Sequence, residues 1–200
     1  VSRNKRGAAT RQTMHKIRAK NVVLATGAVE RSMLFDGNDL PGVMLASASR
    51  TWIKRYSVKP GSKAVLYVNN DSGYDTITAL RENDIQVAAI IDYREDASAE
   101  AKSLADGYGL PIMFSARITK AHGSMSITSV EVNTKNIPCD LVCVAGGWSP
   151  TLHLFSQAGG KVLFYDAKQT LMADQATHEA RLVGAVVGQF DLSEALQAAQ

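Results

Sequence analysis

Three small residues, Ala25, Thr26 and Gly27, end the apolar run Val22-Val23-Leu24 without a polar transition. A buried parallel strand that stops in small residues and a glycine can bring bare backbone up to a ligand, because no side chain stands in the way. A second corner of this kind lies in Leu182-Val183-Gly184-Ala185-Val186-Val187-Gly188. The chemistry open to such corners is binding: a close backbone surface for a nucleotide. Spacing alone favours the plainer explanation, two ordinary buried strand ends.

Between the corners, Lys63 to Val68 is apolar, Tyr74 to Glu82 has helical spacing and Gln86 to Asp92 is apolar again. This rhythm predicts a right-handed βαβ unit. A dinucleotide site there needs G-x-G-x-x-G after the first strand, so that backbone approaches a pyrophosphate at the helix N-terminus. The loop is instead Val68-Asn69-Asn70-Asp71-Ser72-Gly73-Tyr74. Only Gly73 remains, and it sits late. Asn69 and Asn70 place side chains where glycines belong, and Asp71 places a negative charge beside the expected phosphates. Asp92 does hold the position of a ribose-binding acid, which alone is weak support. The loop therefore fails as a dinucleotide motif. Two competing expectations remain: an NAD(P)H-dependent flavin reductase in which Arg94 approaches a 2′-phosphate, and a loop from Asn69 to Tyr74 that serves as a subunit-interaction surface.

No catalytic constellation emerges. His15, His122, His153 and His178 are scattered, with no paired nucleophile or acid, and Ser47 and Ser49 lack a nucleophile-elbow context. Cys139 and Cys143 lie on an apolar strand, where a spacing of four puts both side chains on one face. Their Cα atoms would be roughly 13 Å apart, too far for a disulfide. No metal-ligand spacing accompanies them, so they read as buried small apolar residues in a reducing, cytoplasmic setting, and no metal site is expected.

The elements that must position these residues follow from periodicity and punctuation. Strands are expected at Thr10–Ile17 and Val22–Ala25, and a helix at Leu45–Tyr56 closed by Pro60-Gly61. Beyond the βαβ unit a helix is expected at Glu95–Gly107 and a short strand at Ile112–Phe114. Ile118–His122 and Met125–Val132 read as antiparallel strands, Leu141–Ala145 as another apolar strand and Thr151–Gln157 as a short helix. Strands at Lys161–Tyr165 and Leu182–Val187 precede a closing helix at Leu192–Ala199. The 200 residues are 46% hydrophobic and 20% charged, ordinary for a globular protein, and the net charge of +3 is too small to argue for nucleic acid. The basic opening (Arg3, Lys5, Arg6, Arg11, His15, Lys16, Arg18, Lys20) can form a phosphate-binding arm, but the plainer reading is a solvated strand edge or turn. No run is apolar enough for a membrane-spanning helix. A start at Val1, inside what already reads as a structural segment, is expected for a fragment of a longer polypeptide.

The segment VVLATGAVERSMLFDGNDLPGVMLASA, then YSVKPGSKAVLYVNNDSGY, CDLVCVAGGWSPTLHLF and VGAVVG, closely resembles the alpha subunit of heterotetrameric sarcosine oxidase. Its relatives include opine oxidase, cyanide synthase and amine dehydrogenase subunits. The combination of ATGA-x-ER, N-D-x-PGVM and V-N-N-D-S is specific, where a bare ATG is not. The resemblance implies an α/β fold in which a Rossmann-like βαβ domain is inserted in a split FAD/NAD-binding-type domain. Residues 1–57 would be part of the split domain plus linker, 58–154 the inserted nicotinamide-type domain and 155–200 the return to the first. The G-x-G-x-x-G strand of the first domain would precede Val1.

The resemblance further implies a complex that oxidatively demethylates sarcosine to glycine and hydrogen peroxide, with tetrahydrofolate taking up the one-carbon unit through a domain outside this chain. FAD and FMN would carry electrons in the intact complex, NAD would be bound in the alpha subunit, and beta, gamma and delta subunits would be partners. The amine-oxidising site would belong to the beta subunit, so this chain would be a cofactor-binding and assembly portion, with no catalytic residue and no tightly bound cofactor by itself. Ala25, Thr26 and Gly27 match the family's corner beside the dinucleotide. Gly184 and Ala185 match a corner where many relatives carry Gly-Asp to hold a ribityl or ribose hydroxyl. Alanine here removes that bond and makes NAD the better expectation than a flavin. Glu30-Arg31 is expected to contact cofactor or partner, or to form a local ion pair.

Overall fold

A computed structural model describes residues 2–6, 9–175, 180–190 and 192–197, with side chains described from Met14 onward except those of Leu192 and Glu194. Two compact units result, residues 1–28 with 150–200 and residues 29–149. His178 lies outside the described residues.

The chain opens with a hairpin, β1 (Ser2–Arg6) and β2 (Ala9–Thr13), in register from Ser2 opposite Thr13 to Arg6 opposite Ala9. The strand expected to reach Ile17 stops at Thr13, and residues 14–21 are exposed and irregular. β3 (Val22–Leu24) follows, then β4 (Ala28–Glu30) at the boundary of the units.

The unit 29–149 begins with β5 (Val43–Leu45), α1 (Ala46–Tyr56) and β6 (Lys63–Val68). A 3-10 turn at Asp71–Gly73 leads to α2 (Thr76–Arg81), β7 (Gln86–Asp92), α3 (Ala99–Gly107) and β8 (Ile112–Met113). The antiparallel strands β9 (Ile118–Gly123), β10 (Ile127–Val132) and β11 (Lys135–Pro138) come next, and β12 (Leu141–Ala145) returns to the main sheet. That sheet has the order β5-β12-β6-β7-β8 and is parallel throughout.

Its central strands are buried on both faces, which explains their continuous apolar sequences. Leu66, Val68, Ile90, Leu141 and Cys143 pack with Ile53, Ile77, Leu80 and Ala105 of the helices. The alternate residues Val65, Tyr67, Ile91, Val142 and Val144 pack with Ile118, Ile127 and Val130 of the β9–β11 sheet. Each large side chain so buried stabilises the unit by roughly 2 kcal/mol. The helix expected from Glu95 starts at Ala99, because the Ser98 hydroxyl accepts the Ala101 N–H at 3.1 Å and caps it there.

The compact units divide at 28/29. β5 pairs with β12 (Val43 opposite Val142, Leu45 opposite Val144), and α1 buries Ala46 and Ile53 in the same core. The segment from Val29 to Tyr56 therefore folds with the parallel sheet.

β13 (Trp148–Pro150), paired with β4, leads to α4 (His153–Gln157), the antiparallel pair β14 (Lys161–Tyr165) and β15 (Thr170–Gln175), β16 (Ala180–Leu182) and α5 (Leu192–Gln197). Leu152, Phe155 and Val186 form the core here, with Leu24, Val162 and Leu182 against them. The strand expected over Leu182–Val187 ends at Leu182, and Gly184–Val187 is a 3-10 turn. Gly184 at φ 77° reverses the chain where the apolar sequence runs on.

Candidate functional site

β3 and β16 pair in parallel, with Val22 opposite Ala180 and Leu24 opposite Leu182. Their C-terminal ends therefore leave the pair side by side, tied by the Val183 N–H donating to the Leu24 carbonyl at 3.1 Å. From this register the chain runs on into Ala25, Thr26 and Gly27 after β3 and into Gly184 and Ala185 after β16, two corners more than 150 residues apart in sequence.

Gly27 and Gly184 are both left-handed, at φ 72° and 77°, a conformation that side chains with a Cβ rarely adopt. A Cβ added at either position would meet nothing within 4 Å, so each glycine borders open space. The Thr26 hydroxyl donates to the Thr151 carbonyl at 2.7 Å and the Gly27 carbonyl accepts the Thr151 N–H at 2.9 Å, which holds the first corner in shape. Ala185 offers no carboxylate for a sugar hydroxyl. The corner can take a group by backbone approach and shape.

The loop after β6 is built in the opposite way. Asn69 N–H and the Asn70 side-chain amide both donate to the Ala145 carbonyl, at 2.8 and 2.9 Å. The Ser72 hydroxyl donates to Asn70 and accepts the Trp148 indole N–H at 2.9 Å. Gly73 is needed for close packing, since a Cβ there would lie 2.6 Å from Val68 Cγ1 and 2.9 Å from Ala145 Cβ.

Asp92 is fully buried at the end of β7. Its Oδ1 accepts the Arg94 backbone N–H at 2.9 Å and Nε at 3.1 Å, and its Oδ2 accepts Arg94 Nη2 and the Tyr74 hydroxyl, each at 2.8 Å. A carboxylate has about four acceptor sites. All four are taken by Arg94 and Tyr74. Arg94 Nη2 also meets Asp71 at 2.8 Å, so the cation suggested for a 2′-phosphate is already held by two carboxylates. Burial and its bond to Asp92 push the Tyr74 phenol well above its ordinary pKa. Arg94 is held above its ordinary value too: burial works against the charge, and the bonds to Asp92 and Asp71 outweigh it.

Glu30 is buried, and its Oε2 accepts the Ser47 N–H at 2.8 Å in the first turn of α1. α1 has Leu45 at its N-cap, with no capping side chain of its own, so a carboxylate from 17 residues upstream fills that role. Sequence reasoning missed this cap, since nothing local to α1 announces it. Arg31 exchanges backbone bonds with the glycine pair, its N–H to Gly147 O at 2.8 Å and its carbonyl from Gly146 N–H at 2.9 Å.

Cys139 and Cys143 are free and buried, as expected, but they do not share a face. Cys143 packs on the helix side and Cys139 on the β9–β11 side, because the strand starts only after Asp140. Asp140 bends the chain there, accepting the Ser62 and Lys63 N–H groups at 2.9 and 2.7 Å. Burial pushes both thiols up to about 12, so neither is a nucleophile at neutral pH. His122 reaches Glu131 at 3.6 Å on the surface. Among the described residues no His, Cys, Asp and Glu group has the form of a metal site, and no helix is long and apolar enough to cross a membrane.

Comparison with known proteins finds relatives that are several times longer than this chain. The chain is 36% identical over 199 residues to the sarcosine oxidase subunit alpha of Corynebacterium sp. strain P-1, covering 94% of this chain and 20% of that protein. It is 31% identical over 189 residues to the same subunit of Rhizobium meliloti strain 1021, covering 92% and 19%. The chain is homologous to one region of the sarcosine oxidase alpha subunit. Hydrogen cyanide synthase subunit HcnB of Pseudomonas aeruginosa is a more distant relative, 24% identical over 74% of this chain and 38% of that one. No protein-family model matches. Among solved structures, thioredoxin reductase of T. acidophilum superposes with a TM-score of 0.70 at 19% identity, over 88% of this chain and 61% of that one. L-proline dehydrogenase of P. horikoshii does so with 0.64 at 22%, over 84% and 30%. These likenesses establish the fold as the α/β, Rossmann-type fold of such oxidoreductases, as the sequence led one to expect.

Proposed function

We propose that this chain is a cofactor-binding and assembly portion of a sarcosine-oxidase-like alpha subunit, without an amine-oxidising site of its own. The unit formed by residues 1–28 and 150–200 belongs to a split dinucleotide-binding domain, and the parallel sheet between them is an inserted nicotinamide-type domain whose nucleotide loop is closed. The observation that supports this reading is the parallel register of β3 and β16, whose ends lead into Ala25-Thr26-Gly27 and Gly184-Ala185, with open space at both glycines.

Ala25, Thr26, Gly27, Gly184 and Ala185 would hold an NAD. The missing carboxylate at Ala185 favours it over a flavin. When bound, such a group supplies hydride exchange; the residues named here contribute backbone contact and shape, and move no proton. In the intact assembly, FAD and FMN would carry electrons, beta, gamma and delta subunits would complete a cytoplasmic heterotetramer, and tetrahydrofolate would accept the one-carbon unit at a domain beyond this chain.

The test is nucleotide content. The full-length subunit, denatured after purification, should release NAD. Gly184→Val should lower its content at least tenfold, while Asp71→Asn should leave it unchanged. Undiminished NAD in the Gly184 variant, together with loss in the Asp71 variant, would overturn the assignment.

A further inference from the structure

Gly184 and Ala185 open a short turn, Gly184–Val187, that is bounded by two left-handed glycines, Gly184 at φ 77° and Gly188 at φ 76°. Glycine keeps the widest backbone freedom, so a turn set between two of them holds one shape only where its neighbours hold it. Its entry is tied by the Val183 N–H, which donates to the Leu24 carbonyl at 3.1 Å. Its middle is anchored by Val186, fully buried with Leu152 and Phe155. A Cβ at Gly184 would meet nothing within 4 Å, so no packing steadies the corner itself. The exit is held by a different segment.

β14 and β15 are joined by the 3-10 turn Asp166–Lys168. Gln169, left-handed at φ 48°, closes it by donating its N–H and its side-chain amide to the Asp166 carbonyl, at 3.2 and 2.8 Å. The loop so fixed presents Lys168 to Gly188. Lys168 Nζ donates to the Gly188 carbonyl at 2.7 Å, and the Gly188 N–H donates to the Ala185 carbonyl at 3.1 Å. The same ammonium group stands 5.6 Å from the centre of the Phe190 ring, a cation–π distance. A Cβ at Gly188 would lie 2.6 Å from Met172 Cε and 2.9 Å from Lys168 Nζ, so the hairpin packs directly on this glycine. Carbonyls at the end of a helical turn carry partial negative charge, and a lysine there both satisfies one and is attracted to it.

We propose that Lys168 is a positioning residue for the nucleotide corner. It acts through Gly188: by closing the exit of the turn it sets the backbone of Gly184 and Ala185 before a nucleotide arrives, so that binding need not order that backbone. The inference rests on the cofactor-binding reading above and adds to it a residue of the β14–β15 hairpin, outside both corners. Lys168 itself touches no nucleotide in this account.

The experiment measures NAD retained by the purified full-length subunit. Lys168→Met keeps the apolar stem and removes the donor and the charge, and should lower retained NAD at least tenfold. Lys168→Arg keeps both and should restore the content to within threefold of wild type. A lysine that only stabilises the fold would shift the unfolding midpoint of Lys168→Met and leave its NAD unchanged. Wild-type NAD in Lys168→Met, with NAD lost in Gly184→Val, overturns this proposal and leaves the cofactor-binding reading standing. Equal loss in the Met and Arg variants overturns it in favour of side-chain packing. A wild-type subunit that releases no NAD overturns both readings. If Lys168→Met does not fold, limited acetylation of the wild-type subunit replaces it: chains acetylated at Lys168 should have lost NAD, and NAD retained on them overturns the proposal.

Discussion

The corner made by β3 and β16 and the loop after β6 occupy comparable positions, each at the C-terminal ends of parallel strands, yet they are finished in opposite ways. At the first, Gly27 and Gly184 face open space. At the second, Asn70, Ser72, Asp71 and Arg94 fill the loop with bonds to Ala145, Trp148 and Asp92. The frame around the second loop is nonetheless intact. Its strand registers and its two core clusters draw on β6, β7 and β12 and not on residues 69–72. Loop chemistry can therefore be replaced while a Rossmann-type frame persists, since different residues carry the two.

If the closed loop is structural, removing its centre should cost stability. Asp92→Ala leaves the Arg94 guanidinium and the Tyr74 hydroxyl without their buried acceptor, and should destabilise the 29–149 unit by about 3–5 kcal/mol in urea unfolding. A change below 1 kcal/mol would mean that the carboxylate is a ligand group and would break the comparison.

The glycines give a paired contrast. Gly73→Ala drives a Cβ against Val68 and Ala145 and should cost about 1–3 kcal/mol through overpacking. Gly27→Ala meets open space and should cost only the left-handed backbone, about 1 kcal/mol. Equal costs by chemical denaturation would show that the two corners are not built differently.

The smallest effect is a pH dependence. Burial raises the Cys143 thiol to about 12, so the folded state keeps a proton that the unfolded chain releases from pH 9 upward. Its contribution is complete below pH 9 and declines as pH rises toward 12. At pH 10 the wild type should have lost about 1.4 kcal/mol relative to Cys143→Ala, beyond their difference at pH 8. Parallel curves for the two proteins would show that the core beside the closed loop admits water.

The parallel strands were legible because burial on both faces writes itself as an apolar run bounded by punctuation: Lys63–Val68, Gln86–Asp92 and Leu141–Ala145 stand as read. The run from Leu182 to Val187 misled for the same reason, its apolar residues continuing through Gly184, where the backbone turns. Asn69, Asn70 and Asp71 were legible as side chains standing where a phosphate loop needs glycines, but the saturation of Asp92 did not show. Tyr74 and Arg94 reach it from different elements, and Tyr74 lies 18 residues away. The Glu30 cap on α1 and the separation of Cys139 from Cys143 were hidden likewise, because each depends on where the chain bends between distant segments. The pairing of the two strands that lead into the glycine corners could be anticipated from the idea of a split domain. Their register is a tertiary fact.

Hydrogen exchange of the full-length subunit, with and without added NAD, tests the central claim most directly. The account predicts slowed exchange at residues 25–27 and 183–185, with residues 69–74 and 92–94 unchanged. Protection confined to 69–74 and 92–94 would contradict it and place the nucleotide in the loop described here as closed.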